Sequence, residues 1–231
     1  MGTIAERLKI ALETIKQTVS EADRPVNSVK LLAVSKTKPV SDIRQAYEVG
    51  HRLFGENYVQ EGVEKIQQLA GLTDIEWHFI GPLQSNKTRL VAENFDWVQS
   101  IDRLKIAQRL NQQRVTHKTL NVCIQVNIDQ ETNKAGVLVQ EVEPLAEEIS
   151  KLENLTLRGL MAIPEANQSH IKQQQSFSAM QLLFEQLQTK YPQVDTLSMG
   201  MSSDVQLAIE SGSTMVRVGT AIFGTRNQTK S

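Results

Sequence analysis

The chain has 231 residues, of which 40% are hydrophobic, so it has material for one sizeable core. Its 25 basic and 26 acidic residues leave a net charge of -1 with no charge block, which gives no electrostatic footprint for nucleic acid or an anionic membrane. The apolar runs fall far short of a membrane span, the first sixteen residues carry no signal-peptide core, and one cysteine (Cys123) with four scattered histidines (His51, His78, His117, His170) excludes an internal disulfide and any metal-ligand spacing, so a cytoplasmic protein without a metal is expected.

In chain order, residues 4–19 read as a helix, with Ile4, Leu8, Ala11, Leu12, Ile15 and Val19 on one face, ended by Arg24-Pro25. Leu31 to Ser35 then reads as a buried strand that delivers Lys36, and Pro39 forbids its continuation. Ser41 is a candidate cap for the next helix, closed by Gly50. The alternation then repeats. Strands are expected at 52–54, 76–80, 95–100, 120–128, 155–163, 196–199 and 214–218. The helices between them are expected at about 58–70, 85–93, 102–114 (capped by Asp102), 140–151, 169–190 and 203–210, with Gln173, Gln174 and Gln175 on a solvated face.

Eight strands, each separated from the next by enough chain for a right-handed crossover, predict a (β/α)8 barrel in one domain over residues 1–231, preceded by an extra N-terminal helix. A doubly wound open sheet is the alternative, but no GxGxxG follows the first strand.

Such a barrel gathers its functional residues at the C-terminal ends of the strands. There the sequence puts Lys36, Asn57, His78, Gly81, Asn127, Met161, Ser202-Ser203 and Arg217-Val218-Gly219-Thr220. A lysine at the end of a buried strand is open to two readings: a stem snorkelling to solvent, or a desolvated, nucleophilic amine. Ser202 and Ser203 at a helix start, with Gly219-Thr220 after the last strand, occupy the two loops where this barrel usually takes a phosphate. Ser202 as an ordinary cap and Gly219 as an ordinary turn residue are the plain alternatives. Arg217 stands where it can meet a planar ligand or a structural ion-pair partner. An amine, a phosphate loop and a planar-ligand site together suggest pyridoxal phosphate (PLP). Lys38, Lys87 and Lys134 are read as charges at the same rim, with Lys134 also placed to meet a departing ligand.

The segments LLAVSKTKP, FGENYVQE, WHFIGPLQSNK, RGLMAIP, LSMGMSSD and RVGTAIFG occur in this order over nearly the whole chain. Together they closely resemble the pyridoxal phosphate homeostasis protein family. The resemblance implies a fold-type III PLP barrel similar to the N-terminal domain of alanine racemase, with the cofactor held as a Schiff base on Lys36. It implies that Ser202, Gly219 and Thr220, with Ser203, hold the phosphate and that Arg217 faces the pyridine nitrogen. Asn57 is implied near the ring, and Met161 and His78 in the pocket wall. The family role is intracellular PLP homeostasis: buffering and supplying the cofactor to apo-enzymes and maintaining amino-acid and keto-acid balance, without evident catalysis. A small PLP racemase or lyase, and a barrel that binds another phosphorylated metabolite without covalent chemistry, are the competing functions. A monomer is expected, because fold-type III enzymes build their dimer with a second domain.

Overall fold

The protein is described here by a computed structural model covering residues 2–132, 134–165 and 168–225. Helix α1 (Ile4–Glu21) precedes eight parallel strands: β1 (Lys30–Val34), β2 (Leu53–Glu56), β3 (Glu76–Phe79), β4 (Trp97–Ile101), β5 (Leu120–Val126), β6 (Leu155–Ala162), β7 (Thr196–Met201) and β8 (Met215–Val218). They follow one another around a closed barrel in chain order, and β8 pairs with β1 through Ala33↔Val218. Between and after them run α2 (Val40–Glu48), α3 (Val59–Gln68), α4 (Thr88–Asn94, behind a 3-10 turn), α5 (Leu104–Gln113), α6 (Val139–Ser150), α7 (His170–Lys190), α8 (Val205–Glu210) and the single turn α9 (Thr220–Phe223). The (β/α)8 barrel expected from the alternation is the fold, and the open sheet is excluded by the β1–β8 pairing.

Two cores result. Between barrel and helices lies one large apolar cluster that includes Leu8, Ile43, Phe79, Phe95, Leu110 and Phe177. Strands covered on both faces read as near-continuous apolar runs, which is why they were visible in the sequence. The inside of the barrel is different. Trp97, Cys123 and Met161 form a small apolar patch there, beside the buried polar side chains of His78, Gln99, Ser198 and Arg217.

Several local expectations shift. β1 ends at Val34, so Lys36 sits in the turn after the strand, not at its last position. α2 begins at Val40 with Pro39 at its N-cap, because proline's fixed φ suits that entry, and Ser41 lies inside the first turn. Arg103, not Asp102, is the N-cap of α5, and Asp102 instead pairs with Arg103. Ser202 and Ser203 precede α8, whose N-cap is Asp204. Leu12 is 44% exposed, outside the buried stripe of α1.

The turn carrying Lys36 is clamped on both sides. Ser35 Oγ donates to Glu56 Oε1 at 2.6 Å. Lys65, from α3, donates to the Ser35 carbonyl (2.7 Å), Glu56 Oε1 (2.8 Å) and Glu61 Oε1 (2.6 Å). Glu61 in turn accepts the Thr37 N–H at 2.6 Å, and Thr37 is held at a left-handed φ of 63°. That conformation is uncommon for a residue with a Cβ and persists where the surroundings fix it. The side chains of Lys65 and Glu56 are 5% and 0% exposed, so this ion pair is fully inside the protein. Burial raises the Glu56 pKa, and Lys65 and Ser35 offset only part of that rise.

Removing one partner of a buried pair leaves a desolvated charge behind. Lys65→Met is therefore expected to cost about 3–5 kcal/mol in denaturant unfolding at neutral pH. Without Lys65 the Glu56 carboxyl titrates still higher in the fold, while the unfolded carboxyl keeps its ordinary value of about 4.3. The folded state then binds the extra proton, and its stability falls as pH rises above that value. The penalty should be smaller at pH 5 than at pH 8. An equal penalty at both would show that the Glu56 charge is not what Lys65 holds.

Candidate ligand-binding cleft at the C-terminal mouth

At the C-terminal ends of the strands lies a cleft of about 620 Å³. Its β1 wall is Val34 and Lys36, its β2 wall Asn57, and its β8 wall Arg217, Gly219 and Thr220. Met201, Ser202, Ser203 and Asp204 close the β7 side, and Lys134, Ile163, Pro164, Glu165 and Gln173 form the outer rim. Seven of the residues singled out in the sequence thus meet in one space: Lys36, Asn57, Ser202, Ser203, Arg217, Gly219 and Thr220.

The barrel closure explains the central juxtaposition. Ala33 and Val218 are register partners, so the turn after β1 and the loop after β8 leave the barrel side by side. Gly219 makes that contact tight: a Cβ there would stand 3.1 Å from the Val34 carbonyl oxygen. At the start of α9 the N–H groups of Ile222 and Phe223 both bond to the Gly219 carbonyl. A helix leaves its first N–H groups without internal partners, and here those belong to Thr220 and Ala221. On the β2 side, a Cβ on Gly81 would fall 2.0 Å from the Asn57 carbonyl oxygen, so only glycine lets the β3 end pack against Asn57. The Asn57 Oδ1 is buried and has no hydrogen-bond partner among the described residues.

Arg217 forms the floor. It is 3% exposed. Its NH1 donates to the Ser198 carbonyl (2.8 Å) and hydroxyl (2.7 Å), and its NH2 donates to the Ala162 carbonyl (2.8 Å). Burial draws its pKa down to about 10, against the opposing attraction of Asp204, so it stays protonated near neutrality. Asp204 is half-buried, and burial raises its pKa. Its carboxylate accepts the Met201 N–H and, at 3.3 Å, the Gln173 side-chain amide.

Two expected wall residues are elsewhere. Met161 is fully buried against Trp97 and Cys123. Its register partner is Ser198, which pairs with Met215, so Met161 lies below the level of Arg217 and does not line the cleft. His78 is also fully buried, stacked on Trp97 at 4.9 Å between ring centroids. Both side chains are taken up by partners inside the barrel, Met161 by Trp97 and Cys123 and His78 by Trp97, Gln99 and Glu76, so nearness of the residue to a strand end did not bring them to the mouth. Of the rim lysines, Lys134 lines the cleft and pairs with Glu131, Lys38 bonds the Thr225 carbonyl in a separate hollow, and Lys87 is not at the cleft. Cys123 is buried, and burial pushes its thiol well above the ordinary range, so it is an inert packing group. Sequence reasoning missed Gln173 as a wall residue, having placed it on a solvated face. It also missed Asp204, although an aspartate just before an apolar helical run was a cap signal available there.

A family model for the N-terminal domain of alanine racemase matches residues 10–227. The chain is 57% identical to the pyridoxal phosphate homeostasis protein of Pasteurella multocida over 232 residues, covering 99% of this chain and 100% of that one. It is 52% identical to the protein of the same name from Escherichia coli K12 over 233 residues, covering 100% of each. Among solved structures, PipY of Synechococcus elongatus with PLP bound superposes with a TM-score of 0.81 at 38% identity, covering 96% of this chain and 100% of that one. An alanine racemase of Clostridium difficile shares the barrel alone, with a TM-score of 0.71 at 16% identity over 93% of this chain and 56% of that one. By full-length identity and by the family model, this chain belongs to the pyridoxal phosphate homeostasis protein family, built on the alanine racemase N-terminal domain fold.

Proposed function

We propose that the protein binds PLP covalently through Lys36 and acts in cytoplasmic PLP homeostasis, holding the cofactor and handing it to apo-enzymes without turnover of its own. The observation that carries this reading is the meeting, in one cleft, of the half-buried Lys36 with Ser202, Ser203 and Thr220 and with Arg217. The donor set suits the cofactor. Hydroxyl and N–H donors on the β7 and β8 loops match a phosphate, a primary amine matches an aldehyde, and the partnerless Oδ1 of Asn57 offers an acceptor to a polar substituent of the ring. Bound PLP supplies an aldehyde that condenses reversibly with a primary amine and a ring that withdraws electrons from the attached group.

In this reading Ser202, Ser203, Gly219 and Thr220 bind the phosphate, and Lys36 supplies the covalent anchor. Arg217 sets the electronics: a guanidinium only donates and stays charged, so a ring nitrogen held against it is kept unprotonated and the ring is a weak electron sink. That favours holding over chemistry on an amino acid, in keeping with the name borne by relatives more than half identical. Neither Met161 nor His78 has a part in this reading. No described helix is long and apolar enough to cross a membrane, and no three described His, Cys, Asp or Glu side chains are grouped as a metal site needs. The protein is proposed to work as a monomer, which sedimentation velocity tests directly.

Borohydride reduction of the PLP-loaded protein should fix a chromophore on the peptide carrying Lys36, and Lys36→Ala should abolish that label. A label on another lysine, or no colour with added PLP, would overturn the assignment. Replacing a hydroxyl donor to an anion removes a charge-assisted hydrogen bond. Ser202→Ala and Thr220→Val should each weaken PLP binding about tenfold while leaving the Lys36 label intact. Proton exchange at the α-carbon of an amino acid at ordinary enzymatic rates would replace the carrier with a small racemase or lyase.

A further inference from the structure

Inside the barrel, a chain of side chains runs from the floor of the cleft to the opposite mouth. Arg217 NH1 donates to Ser198 Oγ at 2.7 Å, and Ser198 Oγ donates to Gln99 Oε1 at 2.6 Å. Gln99 Nε2 meets His78 Nδ1 at 2.9 Å, and His78 Nε2 meets Glu76 Oε1 at 2.9 Å. Ser198, Gln99 and His78 are fully buried, whereas the Glu76 side chain is 38% exposed at the start of β3, where it lines a separate polar hollow of about 440 Å³.

The ends of this chain fix its direction. A guanidinium can only donate and a carboxylate can only accept. With a neutral His78, one arrangement pairs every donor with an acceptor: Nε2–H to Glu76, and a bare Nδ1 accepting the Gln99 amide. Reversing the Gln99 amide would require Nδ1–H and would leave a bare Nε2 facing the Glu76 carboxylate. The Gln99 amide also lies 3.2 Å from the Met215 sulfur, a weak acceptor, which agrees with NH2 on that side. Burial lowers the His78 pKa, against Glu76 and Asp96 and together with Lys30, so the ring stays neutral. Burial pushes the Glu76 pKa up, but His78, the Trp97 side chain and Lys30 together outweigh this and hold it below the ordinary range.

We propose that Gln99 and Ser198 are positioning residues for Arg217, and that Glu76, at the far mouth, sets the orientation of the whole chain by locking His78 in its Nε2–H form. The consequence at the cleft rests on Arg217 facing PLP, whereas the tautomer of His78 does not. The test therefore has two arms. In the first, nitrogen-15 spectra of the ligand-free protein should show His78 as the neutral Nε2–H tautomer throughout pH 6–8. Glu76→Leu, which removes the acceptor, should move the His78 proton to Nδ1. An Nδ1–H or doubly protonated His78 in the wild type, or a tautomer unmoved by Glu76→Leu, would overturn the proposal whether or not the protein binds PLP.

In the second arm, Gln99→Leu, or Ser198→Ala should the first fail to fold, should shift the absorbance maximum of the PLP-loaded protein and weaken binding about fivefold, the worth of one buried hydrogen bond. The borohydride label on Lys36 should remain. Glu76→Leu should move the same absorbance from the opposite side of the barrel, and Glu76→Gln, which still offers an acceptor, should restore it. An absorbance that none of these variants moves would show that Arg217 is held by the Ser198 and Ala162 carbonyls alone, and the positioning role would fall.

Discussion

The pairing of β8 with β1 is the constraint on which the site depends. These strands are the ends of the barrel in sequence, and nothing local brings them together. Closure sets Ala33 opposite Val218, and from that register the Lys36 turn and the Gly219-Thr220 loop leave the sheet as neighbours. In an open sheet the same two segments would lie at opposite edges, and Lys36 would have no Gly219-Thr220 loop beside it. The clamp of Glu56, Glu61 and Lys65 around Ser35 and Thr37 then fixes where the turn goes once it has left the barrel.

The interior of the barrel shows a second constraint. Burying polar side chains is costly unless each finds a partner, and a partly satisfied network is worse than an apolar one. Here His78 and Gln99 bond across neighbouring strands, as do Ser198 and Arg217, and the Gln99–Ser198 bond joins the two pairs across the barrel from β4 to β7. Slipping any one of these strands by one residue would turn its member of the set outward and orphan the rest. The polar set thus specifies register in a way that the apolar patch of Trp97, Cys123 and Met161 does not. It also explains how a guanidinium can form the floor of a cleft while almost wholly buried: three bonds to oxygen acceptors replace its water.

The sequence made legible what depends on local pattern. All eight strands were found, and the observed C-terminal ends fall within two residues of the expected ones, because each is an apolar run closed by a turn signal. Seven of the eight proposed cofactor residues reach the cleft because the strand-end rule of this barrel concerns position along the strand. Met161 and His78 fall short because their side chains are taken up inside the barrel, Met161 against Trp97 and Cys123 below the level of Arg217 and His78 between Trp97, Gln99 and Glu76, which a strand pattern cannot show. Gln99 and Ser198 were invisible for a further reason. They lie far apart in sequence, and each reads as an unremarked polar residue in a strand until closure brings the two within hydrogen-bond distance. The Glu61–Lys65 pair had a readable i,i+4 spacing, but a surface salt bridge has the same spacing, and only burial separates them.

The cleft is unequal in construction, and that inequality bears on holding against releasing. One side is made of barrel: Arg217 is wholly enclosed, and the Lys36 turn is tied to a buried ion pair. The other side is made of loop: Ser202, Ser203 and Thr220 are exposed, and the helices that follow them, α8 and α9, are short. Rigid groups hold their geometry without an ordering cost at each binding event, whereas exposed hydroxyls exchange readily with water. In the proposed reading, a ligand gripped covalently on the rigid side and by its anion on the exposed side is fixed in orientation and still reached by water or by another amine at the rim, where Lys134 stands. An enzyme acting on a bound amino acid gains from a closed, water-free chamber. A carrier gains from an anchor that is precise at one end and accessible at the other, and the cleft is built in that way.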